Sequence, residues 1–304
     1  MEVTILGCHS ATPRSNARPS AQLLEMRGHL FLIDCGEATQ IALRNANAKF
    51  SRIKHIFISH LHGDHFYGLF GLISTFQLLG REAEMHIYGP KGIKEAVLLV
   101  LKLGGAYTPF PLYFHELSSK NPELLYEDDK VLVCTIPLQH RVYTNGFLFQ
   151  EKEGERRLNM DAIAQYPEIE VCDYQNIKNG KDITLENGKT IANTELTFEP
   201  HRPQSYAYCS DTVYLEDLAT EIRGTRVIYH ESTFLKINEE LAAKTMHATA
   251  YQAGLVAKNA QAEALILGHY SSRYPDVNMF KQEAQEVFKN VFLAEDGKKF
   301  VFEN

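Results

Sequence analysis

The segment Ser59-His60-Leu61-His62-Gly63-Asp64-His65 places three imidazoles and one carboxylate within six residues. Neutral imidazole nitrogen and carboxylate oxygen are the ordinary ligands of zinc, so this stretch points to a metal centre and to metal-assisted hydrolysis. His60 and His62 lie two apart and, on extended backbone, can reach one ion. Gly63 permits a sharp turn, after which Asp64 and His65 can face a second ion. The loop alone cannot complete two coordination shells. Three further residues stand where apolar runs end: His140 after VLVCTIPLQ, Asp211 after SYAYCS and His269 after ALILG. Taken singly, each is as readily a satisfied core or surface residue. Taken with the loop, they complete a two-metal site presented at a sheet edge.

Such residues need strands to carry them, and the chain has the rhythm of strands. Residues 3–6, 20–24 and 30–33 are short β-rich runs, and residues 53–58 form an apolar strand leading into the histidine loop. A helix is expected after Gly36, others over 68–79 and over 91–102 following Gly89-Pro90, with an extended run at 85–88 between them. Strands resume at 130–136 and 145–150, then at 227–229 and 264–267, with an amphipathic helix over 279–288. Residues 151–197 break the rhythm. They are polar and charged, with one short helical piece near 159–165, and read as an inserted arm. Alternation in both halves predicts an α/β fold of sheet layers covered by helices.

Composition sets outer bounds. The chain has 304 residues, 44% of them hydrophobic and 23% charged, enough for a large core. Its formal net charge of −7 argues against RNA binding over the whole surface and leaves a local basic patch open. Five scattered cysteines, none in a CxxC pair, give neither a disulfide framework nor a cysteine zinc cluster. No apolar run approaches the roughly 20 residues that span a bilayer, and the first residues lack a signal-peptide pattern. A cytoplasmic protein without a membrane partner is expected.

The order HxHxDH, then a lone His, an SDT aspartate and a GH at a strand end resembles the metallo-β-lactamase superfamily. The resemblance implies an αββα sandwich, one domain over residues 1–304 with the arm inserted. It implies that His60, His62 and His140 bind a first zinc, that Asp64, His65 and His269 bind a second, and that Asp211 bridges them. Asp34, in LIDCGE, would support the metal loop by hydrogen bonds. Two Zn2+ per subunit are expected, although Mn2+ or Fe2+ suits the same donors.

The superfamily hydrolyses lactams, thioesters, lactones, sulfates and phosphodiesters, so the fold leaves the substrate open. More local features narrow it. His230-Glu231-Ser232-Thr233 resembles the HEAT signature of the ribonuclease Z family, with Ser for Ala. His247-Ala248-Thr249 resembles its second His-containing signature, and GHYSSRY (268–274) resembles its HFSSRY stretch. The opening ILGCHSATPRSNARPS also fits. The resemblance implies an endoribonuclease that removes the 3′ trailer of precursor tRNA and leaves a 3′-hydroxyl. In that scheme Asp64 orients or deprotonates the attacking water, and His247, polarised by Glu231, protonates the departing ribose oxygen. Arg273 neutralises phosphate charge. A surface role for Glu231 and a helix-capping role for His247 are the competing readings.

The arm sits where short-form members of the family carry a tRNA-binding exosite, and Arg156, Arg157, Lys178, Lys181 and Lys189 could contact phosphates. The family's Gly-Pro pair is absent there; Cys172-Asp173-Tyr174 stands in its place, and Glu168, Glu170 and Asp173 dilute the basic character. The family further implies a homodimer. The alternative is another hydrolase of this fold, a cyclic-nucleotide phosphodiesterase, arylsulfatase or lactonase, which would share the metals without needing the arm. A noncatalytic RNA-binding subunit would be expected to carry degenerate ligands, and every ligand here is intact.

Overall fold

The computed structural model describes residues 1–12, 15 and 17–303. Pro13, Arg14 and Asn16 of the amino-terminal opening therefore lie outside the described residues. The chain divides into two compact units, one of Met1–Gln150 with Ser205–Glu303 and one of Glu151–Gln204.

The larger unit is an αββα sandwich. Its first half runs β1 (Glu2–Gly7), β2 (Ala21–Met26), β3 (His29–Ile33), β4 (Ile53–Phe57), β5 (Met85–Pro90) and β6 (Leu112–Leu117). These six, with β18 (Lys299–Val301) beside β1, form a seven-stranded sheet that is antiparallel from β18 to β3 and parallel from β3 to β6. A second seven-stranded sheet takes β7 (Leu124–Glu127), β8 (Val131–Gln139), β9 (Tyr143–Glu151), β14 (Ser205–Cys209), β15 (Val227–Glu231), β16 (Ala264–Gly268) and β17 (Val291–Leu293). From β14 to β17 its strands are parallel.

Period-two alternation explains the layering. Val3, Ile5, Leu24, Met26, Phe31 and Phe57 pack between the sheets, while Leu6, Leu23, Leu30, Leu32 and Ile56 pack under the helices Gly68–Leu78 and Ile93–Leu103. Phe31 meets Phe149, and Phe57 meets Phe147, at ring-centroid separations of 5.3 Å across the sandwich. On the far side, Ala253, Val256, Ala257 and Phe280 come from the helices Ala250–Asn259 and Asn278–Gln285. Strands buried on both faces read as near-continuous apolar runs, which is why ALILG stands out in the sequence.

Four strands of the larger unit escape the sequence pattern. LYFHEL (β6), LLYE (β7), VFL (β17) and KFV (β18) are the outer strands of the two sheets, where one side needs no apolar partner and short length or charge guards the edge.

The inserted unit departs from the expectation of a polar arm with one helix. Besides the helix Met160–Ile163, capped by Asn159, it has helices at Tyr174–Lys178 and Asn193–Leu196. It also has the short ladders β10 (Arg157–Leu158) with β13 (Thr197–Phe198) and β11 (Ile183–Thr184) with β12 (Thr190–Ile191). Ile163, Ile169, Ile177, Leu185, Ile191 and Leu196 converge on a small core of its own. They are spaced too irregularly to show a period in the sequence, because Ile163, Ile177, Ile191 and Leu196 come from different short elements and Ile169 and Leu185 from the connections between them.

The inner face of the first sheet carries an unusual row of imidazoles. His55 on β4 lies opposite His86 on β5, their ring centroids 5.1 Å apart, and His86 Nδ1 sits 3.0 Å from His115 Nε2 on β6. Burial, and then the charges of His86, His29, Lys54 and His115, push the His55 pKa down to about 4. An unfolded histidine titrates near 6.5, so as pH falls the unfolded chain takes up this proton first. His55 therefore contributes stability fully above about pH 6.5 and loses it progressively toward pH 4, about 1–3 kcal/mol in all. Denaturant unfolding at pH 7.5 and pH 5 should show a smaller loss for His55→Phe than for the parent. Equal losses in the two would remove His55 as the source.

Candidate active site

The histidine loop leaves β4 and is pinned by Asp34 at the end of β3. Asp34 is fully buried and sits at φ 55°, a left-handed backbone that costs a non-glycine residue of order 1 kcal/mol or more. What holds it there is a complete set of donors. Its Oδ1 accepts from the Ser59 backbone N–H (2.7 Å), and its Oδ2 accepts from Ser59 Oγ (2.9 Å), Tyr208 Oη (2.7 Å) and His65 Nδ1–H (2.7 Å). The last bond fixes the His65 tautomer and leaves Nε2 facing the cleft. The loop is also seated by close backbone approach. A Cβ on Gly68 would lie 1.9 Å from the Gly36 carbonyl oxygen, so only glycine fits there.

The residues expected to bind metal come together from four strand ends, those of β4, β8, β14 and β16. His60, His62, His140 and Asp211 place ligand atoms within 4.8 Å of one another, as do Asp64, His65 and His269. Asp211 lies between the two sets. Its Oδ2 is 3.7 Å from His60 Nε2 and 3.9 Å from His140 Nε2, and its Oδ1 is 3.4 Å from His65 Nε2 and 3.3 Å from His269 Nε2. His140 Nδ1–H donates to the Met246 carbonyl (2.7 Å) and His269 Nδ1–H to Thr233 Oγ1 (2.8 Å), so in each ring the Nε2 lone pair points inward. His269, like Asp34, pays for its direction with a positive φ, 61°.

These donors fit divalent cations. Buried polar atoms are normally hydrogen-bonded, yet His140 Nε2 and Asp211 Oδ1 are buried with no hydrogen-bond partner. A cation satisfies such lone pairs where no donor does. The electrostatics agree: burial opposes a charge on His65, but Asp211, Asp34 and Asp64 raise its pKa, so the carboxylates gathered here call for positive charge. Burial, then the charge of His65, keeps His60 neutral by lowering its pKa, and burial likewise lowers those of His62 and His140. Burial works to raise the pKa values of Asp64 and Asp211, but the neighbouring His65 and His269 hold both carboxylates ionised.

Beside this cluster lies a carboxylate–imidazole pair. Glu231, at the end of β15, is fully buried, which excludes a surface role. Its Oε1 accepts from Thr212 N–H (3.1 Å), Ala248 N–H (3.1 Å) and His247 Nδ1–H (2.9 Å), and its Oε2 accepts from Thr233 N–H (2.9 Å) and Oγ1 (2.6 Å). Burial opposes a charge on His247, but the carboxylate and hydrogen bond of Glu231, then Asp211, push its pKa up to about 9. The cap of the following helix is Thr249, not His247. With Nδ1 engaged by Glu231, Nε2 is the nitrogen free to hand over a proton.

Sequence reasoning missed some of this. Thr233 Oγ1 links Glu231 to the ring of His269, a relay that only the fold reveals. Arg273 is exposed, its backbone N–H donating to Ser271 Oγ, and it is not among the residues lining the cleft. The arginine that does line it, with His62, Asp64, Asp211, His247 and His269, is Arg141. Its position directly after His140 was the available signal. In the inserted unit, each expected phosphate contact has an internal partner. Arg156 pairs with Glu199 (2.7 Å), Arg157 donates to the Glu199 carbonyl (3.0 Å), and Lys178 pairs with Glu155 (3.9 Å). Lys181 donates to Asn176 (3.2 Å), and Lys189 lies over the Tyr166 ring at 5.7 Å.

Comparison with known proteins follows this geometry. Residues 1–108 match the family described as "Anti-Pycsar protein Apyc1", a stretch that includes the histidine loop but none of the second sheet. Over its whole length the chain is similar to curated proteins named ribonuclease Z. It is 42% identical over 303 residues to that of Bacteroides thetaiotaomicron, covering 100% of this chain and 96% of the relative. It is 43% identical over 300 residues to that of Cytophaga hutchinsonii, covering 98% and 95%. The crystal structure of human tRNase Z, short form, is similar with a TM-score of 0.74 at 26% identity, covering 100% of both chains.

Proposed function

The chain belongs to the ribonuclease Z family, with its metallo-β-lactamase fold and endoribonuclease activity, and from that premise we propose that it is a zinc-dependent enzyme that removes the 3′ trailer from precursor tRNA and leaves a 3′-hydroxyl. The observation that carries the reading is the Glu231–His247 pair set against the cluster of metal ligands. Breaking a phosphodiester expels an alkoxide that needs a proton, and a buried imidazolium beside the hydrolytic site meets that need; lactones and lactams need one too, and it is the full-length likeness to ribonuclease Z proteins that favours the phosphodiester.

His60, His62 and His140 would hold one zinc, Asp64, His65 and His269 the other, and Asp211 both. When bound, such ions polarise a phosphoryl oxygen and make water nucleophilic at neutral pH. The side chains do the rest. Asp64, ionised and on the cleft wall, orients the attacking water and accepts its proton. Glu231 holds His247 in one tautomer and stabilises its charge, so that Nε2 donates to the ribose O3′ as the P–O3′ bond breaks. Thr233 keeps the Glu231 carboxylate and the His269 ring in register. The resemblance gives Arg273 the phosphate contact. The exposed side chain and the presence of Arg141 in the cleft favour sharing or transferring that role.

The test is an endonuclease assay on a 3′-extended precursor tRNA, with metal analysis of the same preparation. A single cut after the discriminator nucleotide and about two zinc ions per chain are expected. Hydrolysis of a small phosphodiester without site-specific cutting would sink the tRNA assignment. Among the described residues no helix is long and apolar enough to cross a membrane. A homodimer and a cytoplasmic location complete the proposal, the former open to sedimentation analysis.

The inserted unit is proposed to bind tRNA. Gln150 and Ser205 are register partners on β9 and β14, so Glu151–Gln204 can be replaced by a short turn. The shortened enzyme should show a KM for precursor tRNA raised about tenfold or more, and turnover of a small phosphodiester within about twofold of the parent. An unchanged KM would make the unit a bystander to binding.

A further inference from the structure

Two depressions in the larger unit meet at Arg141. One is the cleft over the metal ligands. The other is a groove of about 620 Å³ running past His140, lined in part by Lys120, Leu138, Gln139, Arg141, Tyr143 and Leu215. We propose that this groove seats the unpaired 3′ trailer of the RNA, with Lys120 and Arg141 gripping its phosphates. The proposal rests on the tRNA-processing reading above and names a substrate contact within it.

Charge is the first argument. The chain as a whole is acidic, at −7, and many of its cations are spoken for: Arg52 by Glu25, Arg226 by Glu263, Arg18 by Asp296. Lys120 and Arg141 are exposed, and neither side chain has a hydrogen-bond or ion-pair partner among the described residues. No carboxylate lines the groove; Glu123, whose charge reaches the Tyr143 phenol, is outside the lining. Two unpaired cations in a groove free of acids make a local site for a polyanion on an otherwise repelling surface.

Shape and chemistry narrow the polyanion to single-stranded RNA. A groove of this volume suits one or two nucleotides, within the roughly 300–1,000 Å³ of small-ligand sites. Tyr143 offers a ring held in place at its hydroxyl, which donates to the Ser119 carbonyl (2.7 Å) and accepts from Asn145 Nδ2 (2.8 Å). With Leu138 and Leu215 it forms an apolar wall against which any base can stack. A trailer varies in sequence from one precursor to another, so it must be held by backbone charge and stacking rather than by base-edge readout.

Position supplies the last argument. His140 lines the groove, while its neighbour Arg141 lines both depressions, so a strand in the groove continues directly to the scissile phosphate. The Arg141 charge is felt on the cleft side as well, where it opposes protonation of His62 and His247.

The test compares precursors with one-nucleotide and ten-nucleotide trailers, using the intact enzyme, Lys120→Ala/Arg141→Ala and the charge reversal Lys120→Glu. In the parent, kcat/KM should rise with trailer length. In the double variant that gain should fall at least fivefold, and the slope of log kcat/KM against log salt on the long substrate should flatten by about 1.4, at 0.7 per single-strand phosphate contact. Lys120→Glu should lose the gain as well, and a thermal midpoint equal to the parent's excludes misfolding. An unchanged length dependence in the variants, a parent with no length dependence, or an equal loss on both substrates would overturn the groove assignment while leaving tRNA processing intact. If the parent cuts neither precursor, the tRNA-processing reading itself fails, and the groove assignment with it.

Discussion

Asp211→Ala is expected to carry markedly less than the parent's complement of both metal ions and to cleave precursor tRNA about 10³-fold more slowly or worse. The reason is geometric. One carboxylate, buried at the end of β14, turns Oδ2 toward His60 and His140 and Oδ1 toward His65 and His269, all within 4.0 Å. Alanine would leave the first set with three imidazoles and no anion, so both the charge and the link between the two sites would go. Metal ions held there would supply several kcal/mol of transition-state stabilisation, and each 1.36 kcal/mol is a factor of ten. Elemental analysis gives the ion count per chain. Thermal unfolding with and without chelator gives a second readout: ligands that bind only the folded state stabilise it, so the parent's midpoint should fall on chelation by more than the variant's. A variant with full metal content and parent-like turnover would remove Asp211 from its bridging place.

How much of this was legible beforehand follows from how local each feature is. The histidine loop is written in six consecutive residues, so its chemistry could be read directly. His140, Asp211 and His269 were legible for another reason. Each follows an apolar run: β14 and β16 are buried on both faces, while β8 alternates buried and half-buried residues yet is still mostly apolar. Thr233 and Met246 left no such trace. Met246 contributes only a backbone carbonyl, which any residue has, and Thr233 matters because β15 and β16 are neighbours, a long-range fact. Arg273 and Arg141 illustrate the same limit. Both follow a proposed metal ligand within a few residues, and only the direction of the chain after each strand decides which one faces the cleft. The core of the inserted unit was hidden because its six apolar side chains come from short elements and the connections between them, without a common period.

His247→Ala should keep both metals and the affinity for tRNA while kcat falls by about 10²–10⁴-fold, the usual scale for a lost general acid. The hydrogen bonds around Glu231 sharpen the companion prediction. All five contacts to its carboxylate come from donors, so the amide of Glu231→Gln must turn its NH2 group toward two or three of them whichever way it faces. That substitution should therefore cost as much in activity as His247→Ala and lower the thermal midpoint as well, whereas the space left by the imidazole in His247→Ala opens onto the cleft. The leaving group separates proton donation from positioning. A nitrophenolate departs without a proton, so a nitrophenyl phosphodiester should be slowed by His247→Ala far less than precursor tRNA is. Equal slowing of the two substrates would mean that His247 supports the neighbouring ligands, His140 and His269, whose rings lie 4.9 and 5.5 Å from its own, rather than protonating the ribose oxygen.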